Sequence, residues 1–391
     1  MDKVRFGIVG MGNQGTHYAN LFAQGKIKDA ELTAVCDGSQ ARLDDLKRCF
    51  PQVEGYIDPG LMMDSGRVDA VIVSTPHAFH TSIVKDCLRR RLHVVCDKPA
   101  GVYAKEVREM NELAEQTDVK FAMMFNQRTN CMYRKMREIV LGGGIGKLQR
   151  VTWIITDWFR TQAYYDARNW RATWAGEGGG VLINQCPHQL DLLQWVIGEM
   201  PKSVRAFCHY GKWHDIEVED DVTAYFEYES GATGVFITTT GEAPGTNRLE
   251  ISGSKGKLLC VNEQVTWFKN ARDALDVSKT SDQGFDLPEI ERIEVETDGL
   301  NLQHEGVLSN FAQAVLGKEE LWIDGREGIK GVQLMNAITF SGWQDGQKVV
   351  LPVDEDEYLE CLKAKQATSR VKTDCKEKIE DVAITFERQK G

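Results

Sequence analysis

The residues best suited to chemistry include a lysine that directly follows an apolar run. Residues 94–96 are predicted to form a short buried parallel strand, and the run ends abruptly in Asp97, Lys98 and Pro99. Pro99 restricts Lys98 to an extended conformation and ends the strand. In open α/β sheets ligands bind at the carboxyl ends of the strands, so burial and neighbouring groups can tune the Lys98 amine there. Taken alone, these residues also fit a solvated lysine after a strand.

A second segment brings together an amide, an imidazole and a carboxylate. Three glycines, residues 178–180, precede Asn184, His188 and Asp191, whose spacing of i, i+4 and i+7 predicts that they share one helix face. Pro187 is expected to bend this helix just before His188. His188 is the best candidate for a general acid or base because its intrinsic pKa lies near neutrality, and Asp191 is expected to orient it. A structural polar cluster is the alternative.

These residues need a sheet to position them, and the start of the chain predicts one. A strand over residues 4–9 leads at once into a G-x-G-x-x-G pattern, and a helix follows over residues 16–24. The pattern consists of Gly10, Met11, Gly12, Asn13, Gln14 and Gly15. Gly10 permits the tight turn, Gly12 lets a pyrophosphate approach the backbone, and Gly15 lets helix and strand pack closely. The segment therefore predicts a dinucleotide site rather than a glycine turn without a ligand.

Asp37 indicates which dinucleotide is bound. It ends the second predicted strand, residues 31–37, about 20 residues after the last glycine of the pattern. A carboxylate there accepts hydrogen bonds from the adenosine ribose and repels a 2′-phosphate, which favours NAD over NADP. Arg42 lies close enough in the sequence to weaken this inference, so NADP stays open as an alternative.

Polar residues also follow other predicted strands of this half. Ser74, Thr75 and Pro76 follow one strand, and Asn126 follows the last. His80 is expected to line the first of these turns, and no acid or cysteine lies beside it to complete a metal site. The predicted cofactor-binding residues are the six of the glycine pattern together with Asp37, Ser74, Thr75, Pro76, His80, Asp97, Lys98 and Asn126.

The order of the predicted elements indicates the fold class. Strands alternate with helices as far as residue 128, which predicts a doubly wound parallel sheet, and later strands predict a large, mostly antiparallel open sheet. The predicted class is α/β, with a dinucleotide-binding domain over residues 1–128, a substrate-binding and oligomerisation domain over residues 129–353 and a charged extension over residues 354–391. Residues 270–299 are expected to form a polar loop. The extension has too few apolar positions for a core.

Composition excludes several classes of protein. The formal net charge of −11 argues against a nucleic-acid binder, which needs a basic face. No apolar stretch approaches the roughly 18 residues that a membrane span requires, and no signal peptide is expected at the N-terminus. The ten cysteines are scattered without metal-ligand spacing, which is typical of reduced thiols in a cytoplasmic protein.

Taken together, these motifs resemble those of the GFO/IDH/MocA oxidoreductase family, which includes glucose-fructose oxidoreductase and inositol 2-dehydrogenase. The resemblance runs from Val4 to about Pro352 and rests on five motifs in the same order. They are the glycine pattern, the Ser74-Thr75-Pro76 turn with His80, the Lys98-Pro99 pair, the Trp170-Arg171 pair and the 178–180 glycines with His188 and Asp191. The resemblance implies a Rossmann domain beside an α/β domain whose open sheet supports substrate binding and oligomer contacts, hence a homodimer or homotetramer.

The resemblance also implies an activity. Family members transfer a hydride between NAD(P) and a secondary hydroxyl of a sugar, glycoside or cyclitol. Lys98 is then expected to bind the reacting oxygen and His188 to exchange its proton, with the nicotinamide against the strand ends at Thr75, Lys98 and Asn126. The expected catalytic residues are Lys98, His188 and Asn184.

Two residues depart from the pattern of the family. Asp97 stands where a glutamate is usual, and this shorter arm is expected to hold Lys98 differently. Asn184 stands where the family has an acid, and because an amide cannot take the proton, His188 must do more of that work. These departures affect the expected direction and pH dependence of the reaction, and they leave its class unchanged.

Aromatic and arginine residues crowd the start of the second half. They are Trp158, Arg160, Tyr164, Tyr165, Trp170, Arg171 and Trp174. Flat rings suit the apolar faces of a sugar and arginines bind hydroxyls or an anionic group, while core packing is the alternative for some of the rings. The expected substrate-binding residues are Lys98, Arg160, Tyr165, Trp170, Arg171, Asn184 and His188.

Two other functions stay open at this point. Some members of such a family oxidise a sugar only transiently on a retained NAD and return no net NADH. Others bind NAD as sensors without catalysis, a role that does not need Lys98 and His188 together.

Overall fold

The computed structural model describes residues 2–373 and places the first half of the chain in a six-stranded sheet. Its strands are β1 (Val4–Val9), β2 (Ala30–Cys36), β3 (Glu54–Tyr56), β4 (Ala70–Val73), β5 (His93–Cys96) and β6 (Phe121–Met123). All neighbours are parallel and the order is β3-β2-β1-β4-β5-β6. The order reverses between β1 and β4, and at such a point the loops at the strand ends diverge and leave a crevice.

Five helices cover the two faces of this sheet. They are α1 (Asn13–Ala23), α2 (Gln40–Cys49), α3 (Pro59–Met63), α4 (His80–Arg89) and α5 (Ala104–Ala114). All four residues of β4 are buried, as expected for a strand covered on both faces. Ser39 and Asp58 cap α2 and α3 with side-chain oxygens, which satisfies backbone N–H groups of the first turn.

The second half forms a nine-stranded sheet. Its strands are β7 (Leu148–Ile155), β8 (Ser203–Tyr210), β9 (Glu219–Glu227), β10 (Thr233–Thr239), β11 (Asn247–Gly253), β12 (Gly256–Val261), β13 (Gln264–Asn270), β14 (Ile290–Glu294) and β15 (Val349–Val350). The order is β14-β13-β12-β11-β7-β10-β9-β8-β15, with β7 and β10 parallel and the other neighbours antiparallel. Alternate residues such as Val151, Trp153 and Phe236 are buried on one face. The two sheets confirm the predicted fold class.

Eight further helices lie within residues 131–367. They are α6 (Cys131–Leu141), α7 (Gln162–Asp166), α8 (Val181–Asn184), α9 (Pro187–Ile197), α10 (Ala274–Thr280), α11 (Gln303–Val315), α12 (Gly328–Trp343) and α13 (Glu355–Ala367). The α11 and α12 helices return to the first half of the chain: the rings of Phe311 and Phe6 lie 6.0 Å apart, and the Ala104 N–H donates to Asn336 Oδ1. The domain limits at residues 128 and 353 therefore stay a prediction.

The expected single helix through Asn184, His188 and Asp191 is wrong. The α8 helix ends at Asn184 and α9 begins at Pro187, so two short helices meet where one was predicted. Proline suits the first turn of a helix because its missing N–H would have no partner there. Pro187 therefore starts a helix and does not bend one.

The expected contact between Asp191 and His188 is replaced by a buried ion pair. Both carboxylate oxygens of Asp191 accept from the Arg128 guanidinium, at 2.6 and 2.8 Å, and both side chains are almost fully buried. A buried guanidinium requires a partner, and the adjacent 3₁₀ turn Asn126–Thr129 brings Arg128 onto α9. Asp191 thus ties the two halves of the chain together.

Two further expectations are corrected. Residues 270–299 contain α10 and β14 and are not simply a loop, because β14 adds an edge to the sheet with exposed side chains that hide its pattern. The start of the extension is α13, which buries Tyr358 and Leu362 and places the Lys365 ammonium 5.1 Å from the ring centre of Trp343. The rest of the extension, residues 374–391, lies outside the described residues.

Candidate active site

The glycine pattern forms a cradle at the crevice between β1 and β4. Gly10 has a φ of +92°, and a Cβ on it would lie 2.6 Å from the Ser74 carbonyl oxygen. A Cβ on Gly15 would lie 2.0 Å from the carbonyl oxygen of Gly10, so helix and strand touch there as predicted. Gly12 caps the start of α1, and a Cβ on it would meet nothing within 4 Å. That open side of a helix N-terminus is where an anion binds well.

The polar atoms at the ends of these strands fit a dinucleotide. Of the buried side-chain atoms that have no hydrogen-bond partner among residues 2–373, five belong to the glycine pattern and the strand ends: Asn13 Oδ1, Gln14 Nε2, Ser74 Oγ, Thr75 Oγ1 and Asn126 Oδ1. An unpaired buried polar atom costs free energy, so such atoms at a ligand crevice indicate groups that a bound molecule satisfies. The residues present therefore fit the predicted NAD, with Pro76 shaping the turn into the 3₁₀ segment His77–Phe79.

Asp37 stands beside the glycine cradle as predicted. Its Oδ2 accepts from the Met11 N–H at 2.9 Å, and its Oδ1 accepts from the Ser39 N–H at 2.9 Å. The Arg42 guanidinium lies 3.0 Å from Oδ2. Arg42 therefore balances the charge of Asp37, and the pair stands at the end of β2 where an adenosine ribose is recognised.

Lys98 is held by contacts on both sides of the cleft. Asp97 accepts from the Lys98 N–H at 2.8 Å and from the Tyr18 hydroxyl at 3.0 Å, so the shorter acid still fixes this turn. The Lys98 ammonium donates to the Asn184 carbonyl oxygen at 3.0 Å. Burial lowers the pKa of Lys98, while the charges of Asp97 and Glu177 oppose that shift.

His80 and Asn126 support neighbouring turns. His80 Nδ1 lies 2.7 Å from the Pro99 carbonyl oxygen, and Nε2 lies 2.8 Å from that of Thr75. Both ring nitrogens are thereby used, so His80 joins the turns that follow β4 and β5. Asn126 is wholly buried and donates through Nδ2 to Gln303 Oε1, which leaves its own Oδ1 for a ligand.

His188 lies in the first turn of α9, and its Nδ1 has no partner among the described residues. Burial holds the pKa of His188 well below its usual value, and the charge of Lys98 acts in the same direction. The imidazole is therefore neutral near neutral pH and can accept a proton. His304 stands nearby, and burial lowers its own pKa to about 3. Its position escaped the sequence analysis because α11 is more than a hundred residues away.

One wall of the cleft is formed by an aromatic and cationic cluster. The Arg171 guanidinium lies 3.9 Å from the ring centre of Tyr164, and its Nε has no partner among residues 2–373. The Trp170 ring lies 6.0 Å from that of His77, at the end of the first sheet. The Tyr164 hydroxyl donates to Asn184 Oδ1 at 3.3 Å. Trp170, Arg171 and Asn184 thus lie in one cluster with Tyr164, and their role toward a substrate stays a prediction.

Two of the expected substrate contacts are engaged elsewhere. Tyr165 is buried and its hydroxyl donates to Thr240 Oγ1 at 2.7 Å, so its neighbour Tyr164 faces Asn184 instead. Arg160 donates to the carbonyl oxygens of Trp158 and Phe159 and stacks over Tyr164 at 5.1 Å. The Trp174 ring belongs to the core that receives α13.

Two charged residues of the site were missed by sequence reasoning. Glu177 is a buried carboxylate that accepts from the Asn184 amide, and its signal is a lone acid within the glycines of residues 176–180. Lys372 donates to the carbonyl oxygens of Tyr165 and Arg171, at 3.1 and 2.8 Å. Nothing in its neighbourhood in the sequence distinguishes it from the other lysines of the extension.

Residues 2–373 contain neither a membrane-spanning helix nor a cluster of metal ligands. None of the helices in this range is both long enough and apolar enough to cross a membrane. In the same part of the chain, no group of three or more histidine, cysteine, aspartate or glutamate side chains could hold a metal ion.

The chain matches known families along much of its length. Residues 4–125 match an oxidoreductase family described by its NAD-binding Rossmann fold, and residues 133–259 match the GFO/IDH/MocA C-terminal domain. The myo-inositol 2-dehydrogenase of Thermotoga maritima is 28% identical over 272 residues, which are 67% of this chain and 77% of that protein. The D-glucoside 3-dehydrogenase of Escherichia coli is 24% identical over 339 residues, 83% of this chain and 91% of that one.

A solved structure shows the same architecture with ligands. The WlbA dehydrogenase of Chromobacterium violaceum, in complex with NADH and UDP-GlcNAcA, superposes with a TM-score of 0.77 and 27% sequence identity. The match covers 90% of this chain and 97% of that one. The likeness therefore extends over both sheets.

Proposed function

The chain belongs to the GFO/IDH/MocA family of NAD-binding oxidoreductases, and from this premise we propose that it is an NAD-dependent dehydrogenase of a polyhydroxylated ring. The substrate class is a sugar, glycoside or cyclitol with a free secondary hydroxyl. One observation carries the proposal. The Lys98 amine, which follows the last strand residue of β5, donates a hydrogen bond to the Asn184 carbonyl oxygen, and Asn184 comes shortly before His188 in the chain. A hydrogen-bond donor and a base thereby meet beside the cofactor cradle.

The proposed roles follow from the protonation of these two groups. Bound NAD supplies the hydride acceptor. The Lys98 ammonium holds the reacting oxygen by hydrogen bonding, and the neutral imidazole of His188 receives the hydroxyl proton. Burial favours the neutral form of His188, since it keeps the pKa well below its usual value. Asn184 fixes the position of Lys98 through its backbone carbonyl.

The wall of the cleft supports a ring substrate. Trp170 offers a flat apolar surface, and the ring of Tyr164 supports Arg171, which stacks on it. Arg171 Nε has no partner among residues 2–373 and suits a hydroxyl or an anionic group. The names of the relatives agree with this chemistry, because inositol, a glucoside and a nucleotide sugar acid are all polyhydroxylated rings.

We also propose NAD as the preferred coenzyme. Asp37 is anchored by two backbone N–H groups at the end of β2, where its charge opposes a 2′-phosphate. Arg42 forms an ion pair with Asp37 and neutralises part of its negative charge, so we expect NAD to be preferred but NADP still to bind.

The experiment begins with the absorption spectrum of the purified protein, which shows whether a nicotinamide is retained. NAD and NADP are then compared in separate assays over sugars, glycosides, sugar acids and inositols. NADH formed with one class of ring supports the proposal and begins to identify the substrate. Retained cofactor with altered sugar and no net NADH would replace it with transient oxidation, and cofactor binding without any turnover would replace it with a sensor.

Assembly into a homodimer or homotetramer is part of the proposal. The outer face of the nine-stranded sheet carries Phe207 and Tyr225, which are 57% and 40% exposed on adjacent strands. Ile237 of β10 and Ile154 of β7 lie in register with Phe207, with Thr223 of β9 between them. An apolar strip of this kind favours association with another copy. Light scattering tests it, and a monomer at working concentration would refute it.

A further inference from the structure

Glu177 is a buried carboxylate with two hydrogen-bond partners in the substrate wall. Its Oε2 accepts from the Ala172 N–H at 2.6 Å, and its Oε1 accepts from the Asn184 side-chain amide. The side chain is 1% exposed. Glu177 therefore contacts Asn184, the residue at which an amide replaces the expected acid. Through the Ala172 N–H it also links Asn184 to the loop that carries Trp170 and Arg171.

The surroundings of Glu177 are strongly charged. The titratable groups that face it are Lys98, Arg171, Lys372, Tyr165, Glu219 and His77. Burial raises the pKa of Glu177, and the nearest positive charges, above all Arg171, oppose this. The carboxylate in turn helps Lys98 to keep its proton against burial. Glu177 thus acts on Lys98 by charge and on Asn184 by contact.

We propose that Glu177 is a positioning residue for the reaction, which anchors the Asn184 amide and adds its negative charge to that of Asp97 near the Lys98 ammonium. The inference rests on the proposed function for the role given to Lys98. Position 184 lacks a carboxylate, and Glu177, seven residues earlier in the chain, brings one to the same place. Because Asn184 Nδ2 donates to it, Asn184 Oδ1 is turned toward the Tyr164 hydroxyl.

The first test measures the ammonium directly and needs no substrate. Competitive acetylation with acetic anhydride over a range of pH, read by mass spectrometry, reports the pH at which Lys98 loses its proton. Glu177→Gln removes the negative charge, and this midpoint is expected to fall by about one pH unit. Glu106→Gln is the matched control, since Glu106 is a half-buried helix-capping carboxylate that does not face Lys98, and the Lys98 midpoint in this variant is expected to equal that of the parent protein.

A second pair of variants moves the charge instead of removing it. Asn184→Asp alone adds a carboxylate beside Glu177 and is expected to raise the Lys98 midpoint. Glu177→Gln combined with Asn184→Asp returns a single carboxylate to the site and is expected to restore the parent midpoint within a few tenths of a pH unit. If Glu177→Gln does not fold, Asn184→Asp is compared with the double variant, because these two differ only in the Glu177 charge. The Lys98 midpoint is expected to be lower in the double variant, and equal midpoints would overturn the inference.

Turnover provides the second readout. The alkaline limb of kcat/KM is expected to shift to lower pH in Glu177→Gln and to return in the double variant. Lys98 midpoints that stay the same in all variants would overturn the inference, as would a loss of activity in Glu177→Gln with an unshifted pH profile. Failure of the proposed function is distinguishable, because the parent protein would then produce no NADH while the Lys98 midpoints still respond to the charge.

Discussion

The glycine cradle and the wall of the cleft, which contains Tyr164, Trp170 and Arg171, are built in opposite ways. The cradle consists of backbone turns and glycines that each follow a strand directly, so its parts lie within short stretches of chain. The wall consists of side chains that reach one another across the fold, as in the Lys372 contact with the Arg171 carbonyl, 201 residues apart. Recognition by backbone leaves a pattern in the sequence, and recognition by assembled side chains does not.

The two regions also differ in how many of their polar atoms are satisfied internally. In the cradle, Ser74 Oγ and Thr75 Oγ1 have no partners among the described residues. In the wall, the amide of Asn184 is used by Tyr164, Gln185 and Glu177. The cradle is therefore organised to be completed by its ligand, whereas much of the wall is completed by its own contacts and then presents a preformed surface.

The largest effect is expected where the two regions meet. Lys98→Ala and His188→Ala are each expected to lower kcat by about 10²- to 10⁴-fold, because each removes a proton-handling group from the reacting oxygen. NAD affinity, measured by titration calorimetry, is expected to change little, since the cradle stays intact.

The control for these variants is Lys85→Ala, which removes a lysine paired with Glu109 away from the cleft. Its kcat is expected to equal that of the parent protein. Undiminished turnover in either Lys98→Ala or His188→Ala would show that the assigned roles are wrong.

The next effect tests the cradle by itself. Gly12→Ala adds a Cβ that meets nothing within 4 Å, so the fold is expected to be unchanged. The methyl group points into the space assigned to the pyrophosphate, and the Kd for NAD is expected to rise about tenfold or more. Gly15→Ala is expected instead to lower the melting temperature, because its Cβ would lie 2.0 Å from a carbonyl oxygen.

Gly284→Ala is the matched control for Gly12→Ala, because its Cβ is equally unobstructed in the loop before β14. It is expected to bind NAD with the affinity of the parent protein. An unchanged NAD affinity in a correctly folded Gly12→Ala would mean that the pyrophosphate lies elsewhere.

A smaller effect is expected on the preference of the cradle for NAD over NADP. Asp37→Asn removes the charge that opposes a 2′-phosphate, and the preference for NAD over NADP is expected to fall about tenfold or more, since a charged hydrogen bond contributes about 1.5–3 kcal/mol. Asp69→Asn at the opposite end of the sheet should keep the parent preference, as Asp69 pairs with Arg5 there. The two kcat/KM ratios are compared, and an identical ratio in both variants would disprove the role of Asp37.

The smallest effect belongs to the wall. Lys372→Ala removes donors to two loop carbonyl oxygens, and KM for the ring substrate is expected to rise about two- to fivefold, consistent with about 1 kcal/mol for a hydrogen bond. NAD affinity should not change. Arg370→Ala removes a surface ion pair with Asp215 in the same segment and serves as the control. If the KM of Lys372→Ala equals the KM of Arg370→Ala and of the parent protein, Lys372 does not organise the wall.

Much of the fold and of the cradle could be predicted because local rules govern them. The roles of Gly10, Gly12 and Gly15 could be predicted from the strand before them and the helix after them. Their roles agree with the steric contacts that a Cβ would make. The α13 helix was missed because only Tyr358 and Leu362 bury its face, too few to show in a charged stretch.

The candidate site was only partly predictable. The spacing of Asn184, His188 and Asp191 matched a helix, yet the chain breaks between α8 and α9, and Asp191 turns to Arg128 instead of His188. The spacing rule fails there because a buried arginine from another segment needs a counter-charge, and such a need does not appear in the local sequence.

The sequence by itself determined the α/β class, the dinucleotide cradle and the lysine at the strand end, since each depends on neighbouring residues along the chain. Only the tertiary structure brought a carboxylate against the Asn184 amide. Glu177 meets Asn184 and lies near Lys98 because β5, α8 and the loop before it converge at one cleft. The energy of a buried charge depends on everything that surrounds it, and that surrounding exists only once the chain has folded.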